Sequence, residues 1–202
     1  MDELCQAIII GSILGDGTIY PINNKKSESI LEYKYDDKYF SYLRWIHEKL
    51  KPLRVGEIKP HTGFHQHRFR SLPDKEIGSL RKIFYPNGKK IVPYNIKTLL
   101  VDPLSLAVWY MDDGCLDFRI KEHCNATLAT YCFSWIECVL LQKTLQENFD
   151  IIVSIHKNTM RGKVYYRLYV VSQSMSRFIR LIQHFILPCF QYKIPAFSQQ
   201  SR

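Results

Sequence analysis

The sequence predicts an α+β fold in which one αββαββα unit occurs twice along a chain of 202 residues. Three observations lead to this prediction. Helical and strand-like patterns follow the same order in both halves of the chain. Each half opens with an apolar helix, and each of these helices ends at an Asp-Gly step, Asp16-Gly17 or Asp113-Gly114. The two steps lie about half a chain apart, as a duplicated fold requires.

The first half, which we place at residues 1–86, begins with a buried helix from Leu4 to Leu14 whose residues are nearly all apolar or small. Gly11 and Gly15 lie four residues apart, so one helical face allows another backbone to approach closely. The later elements follow from alternating polarity for strands and from 3.6-residue periodicity for helices. They are strands 18–22 and 29–35, helix 38–50, strands 55–59 and 64–72, and helix 74–84.

A loop with Pro86, Gly88 and Pro93 follows, and we place a linker at residues 87–102. The second half, residues 103–202, begins at Pro103, a favoured residue in the first turn of a helix. Ser134 suits the N-cap of a later helix. The predicted elements are helix 104–111, strands 116–120 and 126–133, helix 135–149, strands 151–156 and 164–171, and helix 175–186.

Composition limits the class of protein. A net charge of +9, from 28 Lys and Arg against 19 Asp and Glu, favours a polyanionic partner. The six cysteines form no CxxC pair, so we expect buried free thiols rather than a zinc ribbon or a disulfide framework. No apolar run is long enough to span a membrane, and the N-terminus lacks the basic opening of a targeting segment. We therefore expect action in the compartment of synthesis, either an organelle that encodes the protein (mitochondrion or chloroplast) or a microbial cytoplasm.

The two aspartates are the strongest candidates for chemistry. A carboxylate at a helix C-terminus costs up to about 1 kcal/mol, because the last carbonyls already carry partial negative charge. If the two apolar helices pack side by side, Asp16 and Asp113 approach each other, and a cation between them offsets their repulsion. Oxygen ligands suit Mg²⁺, which can assist phosphodiester hydrolysis. The alternative is that both Asp-Gly steps are ordinary turns; two such steps after apolar helices favour the metal, with Gly15 and Asp112 as supporting ligands.

Polar residues at every second strand position mark the faces expected to contact DNA. Three sets share this pattern: Gln66, Arg68 and Arg70; Asp117, Arg119 and Lys121; and Lys163, Tyr165 and Arg167. Leu116, Phe118 and Ile120 are expected to point inward. Basic residues in predicted loops or turns favour phosphate contacts, namely Lys25, Lys26, Lys157 and Arg161. The alternative for each basic strand residue is a solubilising charge or a phosphate contact, and His61, His65 and His67 fit a surface or DNA-facing role better than a metal site.

The motifs around the aspartates resemble those of a known family. IIIGSILGDG (Ile8 to Gly17) and LAVWYMDDG (Leu106 to Gly114) resemble the two copies of the motif that names the LAGLIDADG homing endonucleases. NGKKIVPYNI (Asn87 to Ile96) and QYKIP (Gln191 to Pro195) are similar to the linker and the C-terminal signature of the monomeric, two-motif, I-SceI-like branch. The resemblance covers effectively the whole chain.

That resemblance implies a site-specific endonuclease that makes a double-strand break in a long DNA target and promotes intron or intein-type mobility. Two antiparallel sheets would form a saddle over the DNA, with cleavage across the minor groove leaving 3′ overhangs. Asp16 and Asp113 would bind the catalytic ions, Mg²⁺ with Mn²⁺ as a substitute. Lys90 and Lys193 would stabilise phosphate charge or help to position and deprotonate the attacking water. For Lys90 the alternative is solvated surface charge or a plain phosphate contact.

Two other functions are compatible with the same sequence. One is an RNA-binding group I intron maturase on the same fold, with intron RNA as its partner. The other is a DNA-binding regulator that does not cut. The presence of an aspartate at both motif ends argues against a purely degenerate maturase, and a dual role stays open. A regulator would tolerate loss of Asp16 or Asp113 with no change in function.

Overall fold

A computed structural model of the protein describes residues 1–23, 27–119 and 123–195. The chain divides into two compact units, Met1–Lys89 and Lys90–Arg202. Each unit contains a four-stranded antiparallel sheet together with helices, which confirms the predicted α+β class. In the part of the chain that the structure describes, no helix is long and apolar enough to cross a membrane.

The first unit follows the predicted order of elements. Its sheet order is β1-β2-β4-β3, so the strand that follows α2 and β3 pairs back onto the centre of the sheet. Asp2 and Asp74 cap the first and last helices by accepting backbone N–H bonds, as Asp favours at an N-cap. The elements are α1 (Glu3–Leu14), β1 (Thr18–Pro21), β2 (Ser29–Asp36), α2 (Phe40–Lys49), β3 (Lys59–Pro60), β4 (Gln66–Arg70) and α3 (Lys75–Phe84).

The second unit repeats this order after one additional short helix. Its sheet order, β5-β6-β8-β7, is the same arrangement of four strands. The duplication of the αββαββα unit is therefore present in topology as well as in sequence pattern. The elements are α4 (Ile96–Leu99), α5 (Pro103–Asp113), β5 (Gly114–Arg119), β6 (His123–Ala129), α6 (Trp135–Phe149), β7 (Val153–Met160), β8 (Lys163–Val170) and α7 (Ser172–Ile182).

In both units one sheet face is buried against helices while the other carries polar side chains. In the first unit, Leu31, Tyr33 and Tyr35 alternate along the buried face of β2. On α2, Leu43 and Ile46 lie on the buried face. The second unit has the same layout, with the buried face of its sheet formed by Ala126, Leu128, Leu168 and Val170. Strand alternation thus fixes which side chains remain available for a ligand.

The predicted strand 55–59 is wrong. Val55 makes only an isolated bridge with Ser71, and regular pairing begins later, at β3. Pro60 ends that strand after two residues, because proline has no N–H to donate to a ladder.

Most other predicted elements have bounds within two residues of those predicted, and three have an end that moves by three residues or more. Strand 126–133 ends at Ala129, and the chain then turns into the N-cap of α6. Strand 151–156 is displaced to β7, which continues to Met160 because the turn Arg161-Gly162 has positive φ at both residues and holds a tight hairpin. Helix 175–186 begins and ends earlier, as α7.

All six cysteines are free thiols. Cys5 and Cys138 are buried as expected, and burial raises the pKa of the Cys5 thiol to about 12. The expectation of burial is wrong for Cys115 and Cys132, which are exposed. Both lie at element boundaries, at the start of β5 and in the turn before α6. Strand and helix patterns do not predict burial at such positions.

Candidate metal and nucleic-acid sites

Asp16 lies in a tight chain reversal at the end of α1. Gly15 caps the helix and donates its N–H to the Gly11 carbonyl at 3.2 Å. Gly17 then donates to the Ser12 carbonyl at 2.7 Å, so the chain folds back on the helix that it has just left. Asp16 is exposed between two buried glycines. The reversal therefore presents a carboxylate at the surface beside the carbonyl end of a helix.

The glycine after each aspartate is required by close approach. A Cβ on Gly17 would lie 2.9 Å from both Cβ and the carbonyl oxygen of Ser12. A Cβ on Gly114 would lie 2.0 Å from the ring of Tyr110 and 2.3 Å from its carbonyl oxygen. Neither glycine has a positive φ, so lack of space, rather than dihedral freedom, excludes a side chain.

Asp113 lies inside the last turn of α5, not in a turn after it. Asp112 and Asp113 are both half-buried, and β5 begins directly at Gly114. The alternative of an ordinary Asp-Gly turn does not describe this helix-to-strand junction. Both motif aspartates thus end a buried helix, one just after its last residue and one within its last turn.

Buried hydroxyl groups fix the end of α1. Ser12 donates its hydroxyl to the Ile8 carbonyl at 2.6 Å and lies 2.8 Å from the Tyr33 hydroxyl. Since Tyr33 belongs to β2, this pair joins the last turn of α1 to the sheet. A site supported by helix and strand is held more closely than one on a free loop.

Lys193 supplies positive charge at the carbonyl end of α5. Its ammonium is buried, with 6% of the residue exposed, and donates to Met111 O at 2.6 Å and Tyr110 O at 3.2 Å. In return the Tyr110 hydroxyl donates to the Lys193 carbonyl at 2.9 Å. These carbonyls belong to the negative end of the helix, where a cation is stabilising. The lysine at one motif aspartate therefore contacts the backbone of the helix that carries it.

Lys90 is half-buried in the segment before α4. Desolvation raises the pKa of the Cys132 thiol, and two charges then act on the same thiol in opposite directions. Lys90 lowers that pKa and Asp113 raises it, so both charges lie within electrostatic reach of Cys132. The second unit thus brings one predicted lysine and one predicted metal ligand into the same region.

The outward face of the first sheet carries Gln66, Arg68 and Arg70, while Phe69 between them is buried. The ladder with β2 places Glu32 across from Arg70 and Asp36 across from Gln66. Sequence reasoning did not find these two acids, because their pairing depends on strand register between residues 30 and 38 positions apart. An alternating polar pattern in β2 was the one signal available for them.

A concave region of about 320 Å³ lies along this face. Asp16 lines one part of it, and residues of β1, β2 and β4, together with Tyr39, line the rest. The candidate metal ligand and Gln66, one of the candidate DNA-facing residues, therefore open into the same groove. The residues that the groove brings together include Asp16, Tyr20, Glu32, Lys34, Asp36 and Gln66.

In the second sheet, β8 places Lys163, Tyr165 and Arg167 on the outward face, as predicted from their spacing. Arg167 donates through Nη2 to the Tyr131 hydroxyl at 2.9 Å. On β5, Asp117 lies across from Asn125.

Several sequence predictions for DNA-facing residues need correction or concern residues that the structure does not describe. Phe118 was expected to point inward but is 43% exposed. A residue near the end of a hairpin can be exposed on either face of the strand, because few neighbouring elements pack against it. Lys157 lies within β7 rather than in a loop, whereas Arg161 is in the predicted turn. Lys25, Lys26, Ile120, Lys121 and the side chain of Arg119 lie outside the described residues.

The three histidines of the first unit belong to side-chain pairs or to the surface. His61 stacks on Phe64 with ring centroids 4.7 Å apart. His67 Nδ1 lies 2.8 Å from Asp37 Oδ1, and His65 is exposed. Within the described ranges no group of three or more His, Cys, Asp or Glu residues could hold a metal ion.

The donor set at each aspartate nevertheless fits a hard divalent cation. Carboxylate and helix-end carbonyl oxygens are the ligand types that Mg²⁺ prefers. Mg²⁺ sites in proteins commonly use one or two carboxylates and take their remaining ligands from water and substrate phosphates. An exposed Asp16 meets that requirement, because it leaves access for phosphate.

Residues 6–178 match the LAGLIDADG DNA endonuclease family. Among curated proteins, the chain is 27% identical to a protein named cytochrome b mRNA maturase bI2 of Debaryomyces hansenii, over 96% of this chain and 74% of that protein. It is 26% identical to a protein named DNA endonuclease I-ChuI of Chlamydomonas applanata, over 93% of this chain and 92% of that protein.

Solved structures show the same fold. The homing endonuclease I-WcaI bound to its DNA recognition sequence superposes with a TM-score of 0.80 at 23% identity, over 96% of this chain and 87% of that one. I-DmoI in complex with DNA and Mn gives a TM-score of 0.58 at 15% identity, over 91% and 98% of the two chains. With a family match that spans both Asp-Gly motifs, this chain belongs to the LAGLIDADG DNA endonuclease family.

Proposed function

We propose that the protein is a site-specific homing endonuclease that makes double-strand breaks in a long DNA target by divalent-metal-dependent hydrolysis. The observation that carries this proposal is the groove of the first unit, which is lined by Asp16 and by residues of β1, β2 and β4, among them Gln66. A single surface there offers an oxygen ligand for a metal and donors for base edges. The chain's net charge of +9 supports a polyanionic substrate.

Asp16 and Asp113 are the proposed metal ligands, with the Gly15 carbonyl and Asp112 in support. When bound, Mg²⁺ or Mn²⁺ would stabilise the attacking and leaving oxygens of the phosphodiester and favour hydroxide over water. The carboxylates hold negative charge at the carbonyl ends of two helices, which increases their attraction for a cation. Two motif aspartates, one in each unit, suit an enzyme that cuts two strands.

The two lysines have different proposed roles. Lys90 is half-buried and within electrostatic reach of the same thiol as Asp113, so it is suited to stabilise phosphate charge or orient the attacking water. Lys193 already donates to two carbonyls of α5 and acts on the end of the helix that carries Asp113. We therefore assign Lys193 as a positioning residue.

Base reading is proposed for most of the outward strand residues, and phosphate contact for a second set of cations. Arg and Gln can form paired hydrogen bonds with guanine and adenine in the major groove. The proposed base-reading or strand-face residues are Gln66, Arg68, Arg70, Asp117, Arg119, Lys121, Tyr165 and Arg167. The proposed phosphate contacts are Lys25, Lys26, Lys157, Arg161 and Lys163.

Cleavage-based selection tests this function, because a randomised library samples many candidate targets at once. The protein is incubated with a randomised duplex library and Mg²⁺, and the cleaved molecules are sequenced. We expect one long preferred sequence cut on both strands, and no products when EDTA is present. Absence of cleavage with both Mg²⁺ and Mn²⁺ would contradict the proposal.

A second candidate function is favoured by the relative named cytochrome b mRNA maturase bI2. On this alternative the basic surface binds intron RNA and assists its splicing. A splicing assay on group I introns, with and without the protein, separates the two activities. Splicing that depends on the protein and is unaffected by Asp16→Asn would show a maturase activity independent of the metal ligands.

A further inference from the structure

The outward face of the first sheet contains a carboxylate that is almost fully buried. Glu32 lies on the same face as the candidate base-reading residues, yet only 9% of its side chain is exposed. We propose that Glu32 is a specificity-determining positioning residue, which holds Arg70 so that its guanidinium reads a guanine in the DNA target. This inference rests on the proposed function and deepens it.

Glu32 and Arg70 are direct partners in the ladder between β2 and β4. Arg70 donates through Nε to Glu32 Oε2 at 2.5 Å. Half of the Arg70 side chain is exposed, in contrast to its carboxylate partner. The carboxylate of the pair is therefore buried, while half of the arginine side chain is accessible to a ligand.

Two further neighbours restrict the same pair. Arg68 Nη1 lies 3.7 Å from the same Glu32 oxygen, so that oxygen is fixed between two guanidinium groups. The ring of Tyr20 on β1 lies 6.0 Å from Arg70 Cζ, within the range of a cation–π contact. Arg70 is thus held by a carboxylate and an aromatic ring before any DNA arrives. Preorganisation of this kind lowers the entropy lost on binding.

The contact with Glu32 leaves the recognition edge of Arg70 available. A guanidinium has five N–H donors, and the bond to Glu32 uses the one on Nε. The terminal nitrogens, Nη1 and Nη2, remain for a paired bond to O6 and N7 of guanine, the commonest specific contact in the major groove. The geometry therefore selects a base edge with two acceptors.

The charge of Glu32 also disfavours the alternative of a simple phosphate contact. A carboxylate bonded to the arginine repels a phosphate that approaches the same group, whereas a neutral base edge is not repelled in this way. A second pair on the same two strands repeats the arrangement, since Gln66 Nε2 donates to Asp36 Oδ1 at 3.0 Å. Strand β2 thus supplies the acids that orient donors on β4.

Each of four proteins is incubated with the randomised duplex library, and the base preferences of the cleaved sequences are compared. The proteins are wild type, Arg70→Ala, Glu32→Ala and the double variant. Arg70→Ala is expected to reduce discrimination at one guanine position by about 5- to 150-fold, the range for one paired base contact. Glu32→Ala is expected to reduce discrimination at that same position, and the double variant to lose no more than Arg70→Ala alone. Thermal melting checks that each variant folds.

Glu57→Ala is the matched control, because Glu57 is an exposed acid of the same unit and its removal changes the net charge equally. It should leave the profile unchanged. Arg70→Lys gives a second test in which Glu32 itself is unchanged: it keeps the charge but loses the planar donor pair, so the guanine preference should disappear.

Two outcomes would overturn the inference. One is an unchanged guanine preference in Glu32→Ala or Arg70→Lys, and the other is a loss spread evenly over all positions of the site. Both are distinct from failure of the proposed function itself, in which the wild-type protein would select no cleaved sequence.

Discussion

At the scale of single residues, the Asp-Gly steps combine a chemical and a packing requirement. The aspartate supplies the proposed metal ligand, and the glycine lets the chain return against the helix that it has just left. The sequence alone indicated both residues, with an ordinary Asp-Gly turn as the alternative. The structure shows that steric exclusion by Ser12 and Tyr110 is the reason for each glycine.

Gly17→Ala and Gly114→Ala are each expected to lower the free energy of unfolding by about 1–3 kcal/mol, because the added methyl overpacks a closed site. Urea unfolding followed by circular dichroism measures the change. Gly56→Ala is the control, since its Cβ would lie 3.4 Å from the Arg70 carbonyl, at the near limit of ordinary van der Waals contact. Equal stability of all three variants would contradict the steric explanation.

Tyr110→Phe removes one hydroxyl from the reciprocal bonds between Tyr110 and Lys193. The free energy of unfolding should fall by about 1–3 kcal/mol, because the Lys193 carbonyl loses a donor at a buried position. Tyr94→Phe, at a residue that is 89% exposed, should have no measurable effect. The two variants are compared by thermal melting, and equal midpoints would show that the bond is not stabilising.

At the scale of elements, helix α6 shows what local sequence can predict. Its bounds, Trp135–Phe149, and its N-cap, Ser134, are as predicted, because the capping box uses residues only three positions apart. The prediction of strand 55–59 was wrong because the ladder with β4 forms only at Lys59 and Pro60, and Pro60 has no N–H to extend it. The acids Glu32 and Asp36 were missed because cross-strand partners follow from register.

The side chain of Glu137 joins α6 to the segment before α4. Its carboxylate accepts from Ser134 N at 2.6 Å, as part of the capping box, and from Val92 N at 2.9 Å. Ser134→Ala should cost about 1 kcal/mol of stability, the usual value for a lost cap. Glu137→Ala should cost more, because it also removes the partner of Val92. Chemical denaturation measures the loss of stability in both variants. A smaller loss for Glu137→Ala than for Ser134→Ala would contradict this link.

At the scale of the whole molecule, the duplicated unit and the net charge were both readable from the sequence. The repeat of element order and sheet order confirms the first. The surplus of cations predicts that DNA binding weakens with salt, since each phosphate contact contributes a slope of about −0.9 in a plot of log K against log salt.

Lys163→Ala tests the assignment of one hairpin-end cation to phosphate. The salt slope should decrease by about one while base preferences stay the same. Lys51→Ala changes the charge equally at an exposed residue that pairs with Glu48 at 2.5 Å, and it should leave the slope unchanged. Fluorescence anisotropy at several salt concentrations gives both slopes. A changed base preference in Lys163→Ala would show that the residue reads sequence.

Asp16 and Asp113 are the proposed ligands of the metal ions that would cut DNA. The most direct measurement compares cleavage and binding of the selected duplex by Asp16→Asn, Asp113→Asn and the control Asp150→Asn, an exposed C-cap where Asn also tolerates positive φ. We predict that either motif variant loses cleavage in Mg²⁺ but still binds the duplex, while the control retains both activities. Full cleavage by Asp16→Asn or Asp113→Asn would contradict the metal assignment.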